Sequence, residues 1–219
     1  ANPDTSGWNT SNVVTMQQMF RFAVAATPDT SGWDTSNVYG MDGLFNGATF
    51  ADPDTSNWDT SNVTDMDYMF TDAISANPDT TNWDTSKVTK MNHMFSGAIS
   101  ATPDTSGWDT SQVTNMAIMF HNASSATPDM SGWDLANVVD MSNMFAGIDI
   151  GEARYSALLT KLDAQNANLD VSLGGGLATY NGAGALARAV LVDERGWTIT
   201  DGGPAPDADG DGLSDAQEA

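Results

Sequence analysis

One twenty-five-residue unit, repeated six times without insertion from Ala1 to Ile150, decides what this chain can fold into. The third copy reads ADPDTSNWDTSNVTDMDYMFTDAIS (51–75) and the fifth ATPDTSGWDTSQVTNMAIMFHNASS (101–125). Trp returns at 8, 33, 58, 83, 108 and 133, and Phe at 20, 45, 70, 95, 120 and 145. A unit this short cannot bury its own apolar side chains, so a fixed period of this size predicts a solenoid in which equivalent residues lie over one another. Coils paired as parallel strands would be spaced by ~4.8 Å. We use the position within the unit below, with Ala1 as position 1.

The two halves of the unit read differently. Val13, Met16, Met19, Phe20 and Ala23 have helical spacing, with Ser11 or Asn12 placed to cap, which predicts one or two helical turns over 13–20. Thr5 to Thr10 follows a Pro-Asp turn and is read as a short strand in a parallel sheet. The fold expected is therefore an α/β repeat solenoid of six coils over 1–150. Strict recurrence assigns the Trp, Met and Phe ranks to the core rather than to a cofactor box or sugar-stacking platform. Ser, Thr and backbone groups nearby are expected to accept from the indole N–H groups.

Two aspartate ranks run along the repeat, one at 4, 29, 54, 79, 104 and 129 and one at 34, 59, 84, 109 and 134, with Asn9 at its head. Each carboxylate either caps its own Pro-Asp-Thr-Ser or Trp-Asp-Thr-Ser turn or bridges coils through Ca²⁺. Asn9 favours capping, because an amide caps a turn but replaces a cation-bridging carboxylate poorly. The sixth unit departs from the others with Met130, Leu135 and Ala136 in place of Thr, Thr and Ser. Three polar-to-apolar changes predict that this edge is covered by the segment that follows.

That segment, 151–203, carries no sequence repeat. Tyr155, Leu158, Leu159 and Leu162 mark one helix, and Ala183, Leu186, Ala187, Val190 and Leu191 a second. The second ends at Arg195-Gly196. Leu169–Leu173 and Trp197–Thr200 read as strands. This is the C-terminal α+β cap, and Gly202–Pro206 reads as a linker into 204–219.

The chain has 29 acidic and 7 basic residues, a net charge of −22. Binding to a phosphate backbone requires Lys and Arg, so nucleic acid is excluded as a partner. No apolar run is long enough to span a bilayer, and membrane insertion is not expected. Cysteine is absent, which removes disulfides and thiolate chemistry. No nucleophile, base and acid come together in the sequence, so the protein is read as not an enzyme. The chain opens without a charged n-region or apolar h-region, so any secretory leader is expected to have been removed.

The unit Trp-Asp-x-Ser-Asn-Val-x-x-Met-x-x-Met-Phe, as in Trp58–Phe70, resembles the BspA-like leucine-rich-repeat surface proteins of bacteria. The ending also resembles theirs, through Tyr155 and Leu159, Ala178-Thr179-Tyr180, Ala187-Arg188 and Gly196-Trp197-Thr198-Ile199-Thr200-Asp201-Gly202-Gly203. The resemblance covers roughly residues 1–203. It implies a leucine-rich-repeat-like solenoid, export, display at the cell surface and an adhesive role. The copies depart from the pattern at positions 5 and 10, where Thr replaces aliphatic residues. Either the Thr methyls pack inward with their hydroxyls bonded along the rank, or the chain takes a different local path.

The last residues carry the clearest chemical motif. Asp207, Asp209, Asp211, Leu213, Asp215 and Glu218 match a Ca²⁺ loop: alternate aspartates, a glycine at the sharp turn, a backbone carbonyl and a terminal bidentate glutamate. The motif resembles the thrombospondin type 3 calcium repeats. An acidic tail without a bound ion is the plainer alternative, and a single loop implies weak affinity, about millimolar.

Three functions are compatible with this sequence. The first is an extracellular binding module for a protein or glycan ligand on a cell or particle surface. Its ligand face would be formed by the non-repeating Tyr39, Asp65, Tyr68, Lys90, His93, Asn115, Ile118 and His121. Unconstrained surface is the competing explanation of these residues. The second is a structural spacer inside a larger surface protein with neighbouring domains, and the third is ice binding through the Thr ranks. Because the first unit shows no cap, its edge is expected to meet a preceding domain or a partner.

Overall fold

The computed structural model describes residues 2–165 and 168–206. Units 1 to 6 are joined through position 15. Thr15, Gly40, Asp65, Lys90, Asn115 and Asp140 form consecutive parallel bridges, each one unit from the next. Beyond the bridge, alternate backbone N–H groups point along the stack. Met66, Tyr68, Phe70 and Asp72 donate to the carbonyls of Lys90, Asn92, Met94 and Ser96 at 2.7–3.2 Å. The N–H groups between them turn inward, from Met69 to Met66 O, Thr71 to Tyr68 O and Ala73 to Phe70 O. Every turn of chain is thus bonded both to itself and to its successor, which answers the demand for buried backbone partners.

This pattern corrects two expectations. No α-helix forms over 13–20 or its equivalents. Positions 18 and 22 sit in the left-handed region in all six units, with φ between +52° and +61° at 18 and between +54° and +82° at 22. A left-handed residue at the third place of a turn gives a type II corner, and two such corners break the i to i−4 ladder. The apolar spacing that reads as helical comes from these successive corners, each of which turns one side chain inward. Nor is there a strand over 5–10. Trp8 N–H donates to Thr5 O and Val13 N–H to Thr10 O, so this stretch is also a pair of turns. The aspartates cause this by capping. Ser6 N–H and Oγ–H both donate to Asp4 Oδ1, at 3.1 and 2.7 Å, and the Asp34–Ser36 and Asp54–Ser56 pairs repeat the arrangement. The Ser hydroxyl, then the Ser N–H, holds the carboxyls of Asp4, Asp34, Asp54, Asp84, Asp104, Asp109 and Asp129 below the usual carboxylate range.

The core is a pair of aromatic columns. Phe20, Phe45, Phe70, Phe95, Phe120 and Phe145 stack at 5.6–5.9 Å between centroids. The six tryptophans of the repeat stack at 6.0–6.4 Å with planes within 5°. Beside them lie the Thr ranks, which are buried. Thr5, Thr30, Thr55, Thr80 and Thr105 donate their hydroxyls to the Asp carbonyl one unit on, at 2.7–2.8 Å. Thr10, Thr35, Thr60, Thr85 and Thr110 do the same at 2.7–3.0 Å. Ice binding through these ranks is therefore overturned, since the hydroxyls never reach the surface. The indoles also depart from expectation. Trp133 Nε1 donates to Thr105 O at 3.2 Å, but Trp33, Trp58, Trp83 and Trp108 Nε1 are buried without a partner among the described residues.

The stack does not stop at residue 150. Helix α1 (Glu152–Ala164) buries Tyr155, Leu158, Leu159 and Leu162. Strand β1 (Ser172–Gly174) then takes the place of a seventh layer, receiving Met141 N–H at Ser172 O and Phe145 N–H at Gly174 O, both 2.9 Å. Helix α2 (Gly182–Ala189), extended by a π-helical turn over Val190–Glu194, leads to β2 (Thr198–Thr200), which pairs in parallel with β1. The C-terminal segment is thus two further layers in which helices replace the turn-rich arc.

Met130 and Leu135 are buried like the Thr residues they replace, but unit 6 has no Asp carbonyl ahead of it to receive a hydroxyl, so apolar side chains suit these places. The edge is finished instead by side chains from and just after α1. Lys161 Nζ donates to Ser131 O and Trp133 O, Gln165 Oε1 accepts Leu135 N–H, and Asn168 Nδ2 donates to Ala136 O and Val138 O. Asn37, Asn62 and Asn137 make the same kind of bond to the unit before them, so Asn168 imitates a seventh repeat. Ala136, in contrast, is exposed, and its change from Ser has nothing to do with the cover. Leu186 is 74% exposed, so the inward face of α2 is Gly184 and Ala187, continued by Leu191. The stretch read as a linker is tied down: Gly202 N–H donates to Ala178 O, Tyr180 N–H to Gly203 O and Ala205 N–H to Tyr180 O.

Candidate functional site

The eight residues proposed for the ligand face occupy positions 14, 15, 18 and 21, on the side of the stack that carries the bridges. The structure divides them. At position 15, Asp65 Oδ1 accepts Asp67 N–H and Asn115 Oδ1 accepts Ala117 N–H, so both are turn caps. Lys90 is held by Asp65, its Nζ 3.0 Å from Oδ2. Tyr39 stands at position 14, half exposed and apart from the grooves described next.

Positions 18 and 21 are different. Tyr68 and His93 stack at 4.5 Å with 20° between planes. His93, Ile118 and His121 line an open groove of about 420 Å³ together with Thr71, Asp72 and Asn122. Tyr68 borders a second groove of about 300 Å³ with Gln18, Arg21 and Asp42. Burial, with the neighbouring His121, lowers the pKa of His93, so its ring is neutral at pH 7. His93 Nδ1 lies 3.1 Å from Asn92 Oδ1, and Thr71 Oγ–H donates to His93 O at 2.6 Å.

Tyr68, His93 and Ile118 hold φ of +58°, +57° and +61° where the other units place Gln18, Gly43 and Asn143. An L-residue in this region costs about 1–2 kcal/mol, and a β-branched one is a marked outlier. Such backbone strain concentrates where function retains it.

Two features escaped the sequence reading. One is the rank at position 22, which reads Phe22, Gly47, Asp72, Gly97, Asn122, Gly147. A Cβ on Gly47, Gly97 or Gly147 would collide with the Phe22, Asp72 or Asn122 side chain of the preceding unit. Each large side chain therefore lies along the stack over the glycine that follows it. This two-unit period was visible in the sequence as alternation of glycine with a larger residue. The other feature is Asp67, buried beside Asp65. Burial first and then the Asp65 charge push its carboxyl up to about 6, against the opposing Asn92 N–H bond and the Lys90 charge. Only packing reveals it.

Asp207, Asp209, Asp211, Leu213, Asp215 and Glu218 lie outside the described residues. Among the described residues no helix is long and apolar enough to cross a membrane, and no three His, Asp or Glu side chains gather closely enough to hold a metal.

No curated protein and no solved structure matches the chain. A family described as Mycoplasma protein of unknown function, DUF285, matches it twice, over residues 1–80 and 49–156. With these two overlapping matches covering the whole repeat, the chain belongs to the DUF285 family, a BspA-like repeat family.

Proposed function

We propose that this chain is a leucine-rich-repeat-like solenoid acting as a non-enzymatic extracellular binding module, with its ligand face at positions 18, 21 and 22. The observation that carries the reading is the run Tyr68, His93, Ile118, three bulky side chains in left-handed backbone, of which His93 and Ile118 line one open groove and Tyr68 borders the next. A structural spacer has no use for that strain, because Gly43 and Asn143 show that smaller residues serve the same corner.

The test separates binding from folding. Ile118→Asn is expected to raise unfolding stability by about 1 kcal/mol, through relief of the left-handed strain. In a screen of glycans, peptides and cell-surface extracts against the intact chain, the same variant is expected to weaken the ligand found by about tenfold. A screen that returns no specific ligand supports the spacer and overturns the module.

We further propose that Asp207, Asp209, Asp211, Leu213, Asp215 and Glu218 bind Ca²⁺, on the strength of their spacing alone. Calorimetric titration should show a Ca²⁺ heat that Asp209→Asn with Asp211→Asn abolishes. Equal heats in both proteins would refute the site.

A further inference from the structure

Resting on the binding-module reading, we infer that the ligand of the position-22 track is a neutral, linear, β-linked polysaccharide lying along the stack axis. The track supplies three things that such a ligand needs and other ligand classes do not.

The first is a spacing. Phe22, Asp72 and Asn122 recur every second unit, with glycine between them. Two unit spacings amount to about 10 Å. An extended β-linked chain alternates the facing of successive sugars, so like edges return at every disaccharide, over a similar length. A peptide strand alternates over a shorter distance, about 7 Å, and falls out of register with the track.

The second is a matched chemistry. Thr71, Asp72, Ser96, Asn122 and Asn143 give the groove hydroxyl, carboxylate and amide groups, which accept from and donate to vicinal hydroxyls. The rings of His93 and His121 border the groove, with His93 stacked on Tyr68. At the first unit Phe22 is 65% exposed, with the Arg21 guanidinium 4.7 Å from its ring centre.

The third is charge. The groove lining holds Asp72 and no Lys or Arg, and the chain carries a net −22. Sulfated, phosphorylated or sialylated ligands would be repelled. A cationic peptide is the remaining competitor, but Asp72 is the single carboxylate in the groove lining. At the next large position of the track stands the uncharged Asn122.

The groove volume of about 420 Å³ spans units 3 to 6 and falls within the range of sites that hold small ligands. The glycines are part of the device. They let the side chains at 72 and 122 lie flat, over Gly97 and Gly147 of the next units.

The experiment is calorimetric titration of the intact chain with β-linked glucose and N-acetylglucosamine di-, tetra- and hexasaccharides. Heparin and oligolysine serve as charged probes. The expected result is binding by one neutral series, with affinity rising about tenfold per added disaccharide and little for an odd sugar. Asp72→Ala and Asn122→Ala should each weaken the hexasaccharide about five- to tenfold, and Phe22→Ala should act only on chains long enough to reach it. Binding of oligolysine alone, or neutral binding without length dependence, overturns this inference. If another ligand class binds and is lost in Ile118→Asn, the glycan assignment falls and the binding module stands. If none of these probes binds, the glycan assignment falls, and the binding module stands or falls by the wider screen of peptides and cell-surface extracts.

Discussion

Replacing Asp201 with alanine is expected to destabilise the protein by about 3–5 kcal/mol, the usual loss when one partner of a buried ion pair is removed. The Asp201 side chain is 3% exposed, and its Oδ2 accepts from Arg188 Nε and from the Tyr155 hydroxyl, both at 2.8 Å. Its Oδ1 accepts Gly203 N–H at 3.1 Å. Arg188 also donates to Ile199 O and lies over the Tyr180 ring. One carboxylate therefore fastens α1, α2, β2 and the chain after β2. Without it, the Arg188 charge stays largely enclosed and the Tyr155 hydroxyl loses its acceptor. Burial, the largest cause of that phenol's raised pKa, remains in the variant and opposes its ionisation. Thermal unfolding should begin about 10 °C lower. Asp201→Asn, which keeps an acceptor, should lose less. A melting point within a degree of the parent would show that these layers are held by packing alone.

Asp67→Asn is expected to act in the opposite direction, stabilising the protein at pH 7 by about 2 kcal/mol after allowance for solvent screening. Burial and the Asp65 charge raise the Asp67 pKa from an ordinary 3.8 to about 6. The folded chain therefore holds this proton more tightly than the unfolded chain. The stability it contributes is complete below about pH 4 and is lost as pH rises to 6. Asparagine keeps the acceptor for Asn92 N–H, at 2.9 Å in the parent, and has no charge to bury. The measurement is unfolding stability at intervals from pH 4 to 7. The parent should lose stability over that range relative to the variant, and parallel curves would contradict the assignment. The capped aspartates act with the other sign. Their lowered pKa values contribute stability above the usual carboxylate range that is lost as pH falls further.

The repeat made the packing partners legible because it names them: Phe70 has to meet Phe45 and Phe95, and Trp58 has to meet Trp33 and Trp83. It did not reveal the path between them. Two type II corners and an α-helix place apolar residues at nearly the same spacing, and the difference lies in φ at positions 18 and 22. Gly43, Gly47, Gly97 and Gly147 hinted at it, but Tyr68 and Ile118 concealed it. Aspartate caps were legible because a carboxylate two residues before a serine closes a local turn. The layers at β1 and β2 were not, since their helices interrupt the period: Met141 pairs with Leu173, and Leu173 with Ile199. Within the candidate face, sequence variation pointed to Tyr68, His93, Ile118 and His121 but could not separate them from Asp65 and Asn115. Those two vary as well, yet are engaged in capping.

The absence of cysteine permits a direct test of the unit-on-unit register. Thr64, Thr89 and Thr114 are exposed at position 14, with Thr89 N–H on Thr64 O and Thr114 N–H on Thr89 O, both at 3.0 Å. A disulfide needs Cα atoms about 4.4–6.8 Å apart, which adjacent layers satisfy and alternate layers, about 10 Å apart, do not. Thr64→Cys with Thr89→Cys should therefore close under mild oxidation, and Thr64→Cys with Thr114→Cys should remain reduced. Equal closure of the two pairs, or closure of the second alone, would contradict the register on which the fold and the proposed ligand face depend.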